Sequence, residues 1–194
     1  IVIKLAKEYI RGMNDAGMQA TAKHFPGHGN LVEDSHIELP VDFRNFKEIE
    51  SNDLLPFREL VDNYSSLMTA HILVKNIDKN IVTFSEKWIK KILKRDIGFK
   101  GVIFTDDLSM AGSGDFSIEQ KLENSFNAGC DIALICDNQK EVQKAINFCQ
   151  VKKVNLLECP KVLKANFSIH KNLSPLYSVT VTIIMTIALR GWLM

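Results

Sequence analysis

Paired cysteines, concentrated positive charge and long unbroken apolar segments are all scarce in this sequence. The four cysteines show no CxxC spacing and no secretory signal is recognisable, so we expect reduced thiols in a cytoplasmic protein. The apolar segment at residues 176–194 is interrupted by Arg190, which leaves it short for a membrane span of about 20 apolar residues. We therefore expect no membrane association.

Positive and negative charges are nearly balanced, with 24 Lys and Arg against 23 Asp and Glu. The one concentrated basic run, KWIKKILKR at residues 87–95, has the spacing of a solvated helix face. This balance gives no support to a nucleic-acid partner. Because 46% of the 194 residues are hydrophobic, the chain has enough apolar material for the core of one globular domain.

The two ends of the chain differ from its middle. The sequence starts inside a helix-like pattern, with Ile1, Leu5, Tyr9 and Met13 on one stripe, and we expect a segment to be missing before it. Residues 166–194 become apolar and rich in β-branched side chains towards the end. We interpret them as an atypical tail: a strand, an interfacial segment, or non-native sequence read in the wrong frame.

Near-continuous apolar strands alternate with amphipathic helices in the middle of the chain. Such alternation is typical of a parallel sheet covered by helices. We expect Pro56 to kink or divide the first helix after the first strand. Predicted strands occupy residues 18–23, 66–72, 101–108 and 131–136, and predicted helices occupy residues 46–62, 85–98, 117–129 and 140–148.

Capping signals support two of these helices. Ser85 can cap the start of one helix, and Gly98 stops it. The tetrapeptide SIEQ at residues 117–120 has the capping-box pattern, and Gly129 follows the apolar stripe of that helix. Both helices therefore have a predicted start and a predicted end.

Titratable side chains follow all four predicted strands. Because the active site of a (β/α)8 barrel gathers residues from the carboxyl ends of several strands, this placement favours a barrel. A doubly wound sheet usually binds its ligand at one switch point, and no GxGxxG phosphate turn is present. Four strands make only half of a barrel. The strand-end residues are Lys23 and His24, His71, Asp106 and Asp107, and Asp137.

The segment KHFPGHGNLVEDSH, residues 23–36, is not a helix, because Pro26 and the two glycines favour other backbone conformations. It is predicted to be a shaped loop. Asp34 and His36 are two residues apart, and in extended backbone such residues point to the same side. A carboxylate in contact with an imidazole raises its basicity, so His36 is a candidate proton shuttle; a simple surface hydrogen bond is the alternative.

Two adjacent aspartates end the third predicted strand, in the sequence FTDDLSM. Side chains alternate along a strand, so one of Asp106 and Asp107 can face the barrel mouth while the other faces elsewhere. An aspartate there could be a nucleophile, a metal ligand, a general base or a cap for the following turn. His24 and His28 are also of metal-ligand type, but no helix or CxxC framework fixes their spacing, so we predict no metal site.

Four motifs taken together, KHFPGHG, DSH, MTAHI and GVIFTDDLSM, closely resemble glycoside hydrolase family 3, specifically the single-domain bacterial β-N-acetylglucosaminidases (β-hexosaminidases) of peptidoglycan recycling. The resemblance covers residues 1 to about 150 and the second half of that family's barrel. It implies that residues 1–165 form the C-terminal half of a TIM (β/α)8 barrel. Members of this family work by retention without a cofactor, so we expect none here.

The resemblance implies roles for five residues by their positions in the motifs. Asp106, the first of the two aspartates, would be the nucleophile that attacks the anomeric carbon and forms a covalent glycosyl-enzyme. His36 would be the acid/base, and Asp34 would orient and tune it. Lys23 and His24 would hold hydroxyls of the N-acetylglucosamine ring.

The same resemblance implies that His71 lines this pocket. It also implies a carbohydrate substrate: an exo-acting enzyme would remove non-reducing-end N-acetylglucosamine from muropeptides. Two alternatives stay open. The chain could be a non-catalytic fragment that pairs with a missing barrel half or with itself, or a β-glucosidase-like member of the superfamily. The last is weaker, because those enzymes usually lack the Asp-x-His loop.

Overall fold

The computed structural model describes residues 1–28, 31–136 and 138–152. Within them, the main sheet has four parallel strands in the order β1 (Thr21–Phe25), β3 (Ser66–Thr69), β5 (Val102–Asp107) and β6 (Ile132–Leu134). A smaller parallel sheet pairs β2 (Val41–Asp42) with β4 (Leu73–Val74). The predicted parallel α/β arrangement is therefore confirmed, whereas the short second sheet was not predicted.

Helices connect the strands of the main sheet. One helix comes before the first strand of the sheet and another follows the last. All four helical regions predicted from the sequence contain helix. The helices are α1 (Val2–Asp15), α2 (Phe46–Ser51), α3 (Leu54–Glu59), a π-helix (Lys87–Ile97), α4 (Ile118–Ala128) and α5 (Gln139–Val151), with two short 3-10 helices at Val82–Phe84 and Ala111–Ser113.

The first strand lies further along the chain than predicted. It covers Thr21–Phe25 rather than residues 18–23. Its pairing with β3 shifts register between Ala22 and Phe25, and the Lys23–His24 and Phe25–Pro26 peptide bonds are cis. Lys23 and His24 therefore belong to the strand itself, and the strand ends at Pro26, which has no N–H to donate to a ladder.

Local hydrogen bonds fix where α4 begins and ends. The Ser117 hydroxyl oxygen accepts the Gln120 backbone N–H at 3.3 Å, and the Gln120 side-chain oxygen accepts the Ser117 N–H at 3.0 Å. This is the predicted capping box. Gly129 ends the helix with a φ of 110°, a backbone conformation that favours glycine. Both predicted boundaries of this helix are confirmed.

The helix predicted at residues 85–98 is present, but Lys87–Ile97 has π-type rather than α-type hydrogen bonding. Ser85 caps it by accepting the Trp88 backbone N–H at 3.0 Å, and Gly98 ends it with a φ of 86°. An apolar stripe and its caps do not distinguish the two helix types. The buried residues recur at intervals of four: Trp88 and Ile92, then Ile89, Leu93 and Ile97.

The helical stretch that contains Pro56 is divided in two, as predicted. Asn45 and Glu48 form a capping box at the start of α2, which ends at Ser51. The break comes at residues 52–53, ahead of Pro56, which is the third residue of α3. A proline is tolerated in the first turn of a helix, because the N–H groups there have no partner within the helix.

Only part of the apolar stripe predicted for α1 faces the core. Of its members, Met13 packs against the core, whereas Leu5 and Tyr9 are 64% and 74% exposed. The buried residue Ile10 lies outside the predicted stripe. Residues spaced by four rotate about 40° per step around a helix of 3.6 residues per turn. The stripe read from the sequence therefore drifts away from the buried face.

The helices cover one face of the main sheet, and the other face borders a cavity. On the covered face, Leu67 and Ile103 are fully buried in the main apolar cluster, together with Trp88. A smaller cluster joins β6 to α4 and α5. On the other face, Met68 and Leu134 line the cavity. The alternation of side chains along each strand thus separates the core from the candidate site.

No helix in the described part of the chain is long and apolar enough to cross a membrane. Residue 165, the predicted domain boundary, and the tail at residues 166–194 lie outside the described residues, as does Asp137. These parts of the sequence interpretation stay predictions.

Candidate active site

A cavity of about 1170 Å³ extends along β1 to the carboxyl ends of β1 and β5. It is bounded by the loop after β1 and by α1, and aromatic side chains form part of its wall. Five of the six predicted site residues line the cavity: Lys23, His24, Asp34, His36 and Asp106. The structure therefore brings together residues that lie on β1, on the following loop and on β5.

Asp106 faces this cavity from the end of β5. Its side chain is 18% exposed, and Oδ2 lies 3.7 Å from His24 Nε2, which is too long for a direct hydrogen bond. Oδ1 accepts the backbone N–H of Asp107 at 2.9 Å. Burial lowers the pKa of His24, against the opposing effect of the Asp106 charge. Near neutral pH the imidazole of His24 is therefore uncharged.

Asp107 has a different role from its neighbour. Its Oδ1 accepts the backbone N–H groups of Ser109 at 2.9 Å and Cys136 at 3.1 Å, and its Oδ2 accepts the Ser109 hydroxyl at 2.7 Å. These bonds connect the turn after β5 to the end of β6. Although Asp107 borders the cavity, its carboxylate is committed to structure, which leaves Asp106 as the candidate nucleophile.

Asp34 and His36 form a local pair on the loop. The ring Nδ1 and the backbone N–H of His36 lie 2.8 Å and 2.9 Å from Asp34 Oδ1. Because a carboxylate only accepts, Nδ1 carries the proton that it donates, and Nε2 is left to exchange a proton with another molecule. The bond to Asp34 raises the pKa of His36. The bonds from the His36 backbone and ring lower the pKa of Asp34.

The structure does not bring His71 into the cavity. His71 is completely buried, with Nε2 3.0 Å from the Asp107 carbonyl oxygen and Nδ1 3.0 Å from the Thr83 hydroxyl oxygen. Burial lowers the pKa of His71. A neutral ring must then donate from Nε2 to the carbonyl. Its Nδ1 is left as an acceptor beside the Thr83 hydroxyl, which also lies 3.1 Å from the Ala70 carbonyl oxygen. His71 therefore supports the end of β5 from outside the cavity. Its place at a strand end did not reveal this orientation.

A half-buried arginine supports the loop near its start. Arg44 lies 2.7 Å from an Asp42 oxygen and 2.6 Å from an Asp53 oxygen. Gly27 approaches Asp53 so closely that a Cβ at this position would lie 2.9 Å from the Asp53 Cβ, and its φ is 104°. Sequence reasoning missed this cluster, because its members come from separate segments and match no motif.

Sequence reasoning also missed residues in the cavity wall. Cys136 follows β6 and lines the cavity, and the rule that selected the other strand-end residues would have found it. Tyr9 and Tyr64 line the cavity from α1 and from the segment before β3. No local pattern in the sequence indicates that these two tyrosines belong to a site.

Within residues 1–28, 31–136 and 138–152, no group of three or more His, Cys, Asp and Glu side chains is arranged to hold a metal ion. The rings of His24 and His28 are near each other, with centroids 5.6 Å apart, but they make no such group.

A family model described as the glycosyl hydrolase family 3 N-terminal domain matches residues 1–162. The chain belongs to glycoside hydrolase family 3. The family relationship agrees with the resemblance carried by the four motifs, and the match extends over most of the sequence.

Known members of family 3 are similar to this chain in sequence and in structure. The β-hexosaminidase of Pseudomonas aeruginosa PAO1 is 43% identical over 153 residues, which cover 77% of this chain and 46% of that protein. NagZ from Neisseria gonorrhoeae, solved with N-trifluoroacetyl-D-glucosamine, aligns with a TM-score of 0.69 and 43% identity, over 75% of this chain and 42% of that one. The chain spans about half the length of the curated relatives it matches.

A solved structure of lower sequence identity has the same fold. The β-N-acetylglucosaminidase of Thermotoga maritima aligns with a TM-score of 0.64 and 32% identity, over 74% of this chain and 31% of that one. These neighbours confirm the predicted α/β fold of the TIM-barrel type. The four parallel strands of the main sheet are half of the eight in such a barrel.

Proposed function

We propose that this chain carries the nucleophile and the acid/base of a retaining exo-β-N-acetylglucosaminidase. The observation that carries the proposal is the shared cavity, which holds both Asp106 and the Asp34–His36 pair. A double displacement needs a carboxylate that is ionised near neutral pH and a second group that gives and takes a proton there. Asp106 and His36 supply these two groups.

In the first step, an Asp106 carboxylate oxygen attacks the anomeric carbon while the bond to the leaving oxygen breaks. His36 gives the proton on Nε2 to that oxygen, and Asp34 stabilises the charged ring before the transfer. In the second step, neutral His36 takes a proton from water, and the resulting hydroxide attacks the anomeric carbon. The Asp106 carboxylate leaves, and the sugar keeps its original anomeric configuration.

Lys23 and His24 are placed to bind the sugar beside the nucleophile. Both line the cavity, and His24 is next to Asp106. Lysine donates hydrogen bonds from a fixed positive charge, and a neutral imidazole can donate one and accept one. Together they can hold sugar hydroxyls. Because His24 is uncharged, its contact with Asp106 does not neutralise the carboxylate.

The names of related proteins support the sugar class of the proposed substrate. The P. aeruginosa relative is called β-hexosaminidase, and the N. gonorrhoeae structure contains N-trifluoroacetyl-D-glucosamine. We extend this to non-reducing-end N-acetylglucosamine on cytoplasmic muropeptides. The alternative of a non-catalytic fragment is kept, since the matched relatives are about twice as long.

The direct test is hydrolysis of a chromogenic N-acetyl-β-glucosaminide by the 194-residue chain. We expect Asp106→Asn to lower kcat/KM by at least about 1000-fold, as removal of a covalent nucleophile usually does. Asp115→Asn, which neutralises an exposed aspartate on the loop after β5, serves as the matched control and should keep full activity. A folded wild-type chain without any hydrolysis would contradict the proposal and support the fragment alternative.

A further inference from the structure

The turn that carries Asp34 and His36 touches the rest of the protein through the residue between them. Asp34 and His36 have side chains that are 56% and 73% exposed, whereas Ser35 is buried. The backbone N–H groups of Ile37 and Glu38 both donate to the Asp34 carbonyl oxygen, at 2.9 Å and 3.0 Å. Residues 34–38 therefore form a compact turn that needs an external anchor to hold its position.

Gly112 supplies this anchor. Its backbone N–H donates to the Ser35 carbonyl oxygen at 2.9 Å. A Cβ on residue 112 would lie 2.5 Å from the Ser35 oxygen and 3.1 Å from the Glu38 oxygen, so no side chain fits between the two backbones. Glycine is required here for close approach of the two segments.

The anchor is itself fixed to the end of β5. Gly112 lies in the 3-10 helix Ala111–Ser113, and the buried Ser113 hydroxyl is 2.6 Å and 2.9 Å from the carbonyl oxygens of Met110 and Leu108. The Met110 N–H donates to the Asp107 carbonyl oxygen at 3.1 Å. A continuous set of short contacts therefore runs from the residue beside Asp106 to the residue beside His36.

We propose that Gly112 is a positioning residue that sets the distance between Asp106 and His36. The inference rests on the proposed function, because it gives the contact between Gly112 and Ser35 a role in the double displacement. The two reacting groups of a retaining glycosidase must be held at a defined separation on either side of the glycosidic bond. Here one of them is on a strand and the other on an exposed turn, and Gly112 connects the two.

The positioning role of Gly112 is tested in the 194-residue chain with substrates whose leaving groups differ in acidity. In Gly112→Ala, Ser35 must move, and His36 moves with it. Hydrolysis of a 4-methoxyphenyl N-acetyl-β-glucosaminide, which needs protonation, should lose about 10-fold or more in kcat/KM, a part of the usual contribution of general acid catalysis. The 2,4-dinitrophenyl substrate leaves without a proton and should lose about 3-fold or less.

Gly114→Ala is the matched control for damage to the same turn. Gly114 has a φ of 80°, so alanine is strained there, but its neighbours are Phe116 and Ile81 rather than the loop turn. We expect it to lower the rates for both substrates by the same factor. Equal losses for the two substrates in Gly112→Ala as well would overturn the positioning role.

A second measurement does not depend on turnover. The titratable groups facing His36 are Asp34 on its own turn, His24 on β1, and Asp106 and Asp107 on β5. In an NMR titration, Asp106→Asn should lower the pKa of His36, and this shift should shrink in the Gly112→Ala background. An undiminished shift would overturn the inference. If no variant turns over substrate, the proposed function fails, and the titration still decides whether Gly112 sets the distance.

Discussion

Asp34 and His36 alter each other's proton affinity, although both are exposed to solvent. The contact is short because the residues are two apart on a tight turn, so its geometry does not depend on distant parts of the fold. The raised pKa of His36 keeps more of the ring protonated at neutral pH. A general acid must be protonated in the first step of the proposed reaction, so in that reaction we expect Asp34 to extend activity towards higher pH.

We expect Asp34→Asn to move the basic limb of the kcat/KM profile to lower pH. The substitution removes the charge that raises the pKa of His36 and leaves only a neutral acceptor for Nδ1, so the acid form is lost earlier as the pH increases. The measurement is kcat/KM for a poor leaving group across the pH range. Glu33→Gln, which neutralises the adjacent exposed carboxylate, is the control and should leave the limb in place. An unmoved limb in Asp34→Asn would exclude this tuning role.

At this scale, sequence predicts short-range geometry well and the direction of buried side chains poorly. The Asp34–His36 contact follows from their spacing. Position after an apolar strand indicated the pair Asp106 and Asp107, and the family resemblance selected Asp106. His71 also lies at a strand end and was placed in the pocket by the resemblance, but it is buried. Its direction depends on Thr83 and on the Asp107 carbonyl, which are 12 and 36 residues away, and no local pattern reports such partners.

Among the elements, β3 and β5 are joined beyond their backbone ladder. His71, just after β3, donates to the Asp107 carbonyl at the end of β5, and the Thr83 hydroxyl lies 3.0 Å from both His71 Nδ1 and the Thr69 hydroxyl. Thr69, His71 and Thr83 are all completely buried. These side chains therefore connect the end of β3 to the end of β5, next to the candidate nucleophile Asp106.

We expect Thr83→Val to lower the free energy of unfolding by about 1–3 kcal/mol, because it removes a buried hydroxyl that contacts His71 Nδ1, the Thr69 hydroxyl and the Ala70 carbonyl oxygen. Valine has nearly the same shape as threonine, so little packing is lost. Thr83→Ser, which keeps the hydroxyl and removes the methyl group, is the control and should cost less. Urea unfolding of the three proteins measures the difference. A serine variant less stable than the valine variant would show that packing, not the hydroxyl, matters at this site.

Elements with strong local signals were predicted, and those formed by distant contacts were not. The capping box at Ser117 and the terminal Gly129 gave both limits of α4. The two-residue strands β2 and β4 are too short for any periodic pattern, and they exist because Val41 and Leu73 are brought side by side. The π-type hydrogen bonding of Lys87–Ile97 also left no mark on the apolar spacing.

For the molecule as a whole, buried histidines connect stability to pH. Burial lowers the pKa of His71 and of His24 in the folded chain, whereas in the unfolded chain both return to about 6.5. Below that pH the unfolded state binds more protons than the folded state. The free energy of unfolding therefore decreases as the pH falls below about 6.5 and is unaffected by these groups at higher pH.

We expect His71→Gln to reduce this pH dependence, even though it lowers stability at neutral pH. Urea unfolding at about pH 7.5 and about pH 5.5 gives the two free energies, on either side of the unfolded-state pKa. His36→Gln is the control: the pKa of His36 is raised rather than lowered, so its removal should leave the loss at low pH undiminished. An unchanged pH dependence in His71→Gln would mean that His71 is not the proton acceptor.

The order of strands in the main sheet has a consequence for how quickly the chain can fold. Each strand pairs with the next one of that sheet along the chain, and contacts between neighbours join residues 45, 36 and 28 positions apart, as in Thr21–Ser66, His71–Asp107 and Ile103–Asp131. The entropy of closing a loop grows only slowly with its length, and local topologies fold faster than those with remote pairings. The sheet can therefore grow one strand and helix at a time, with each new unit docking on the edge left by the one before it.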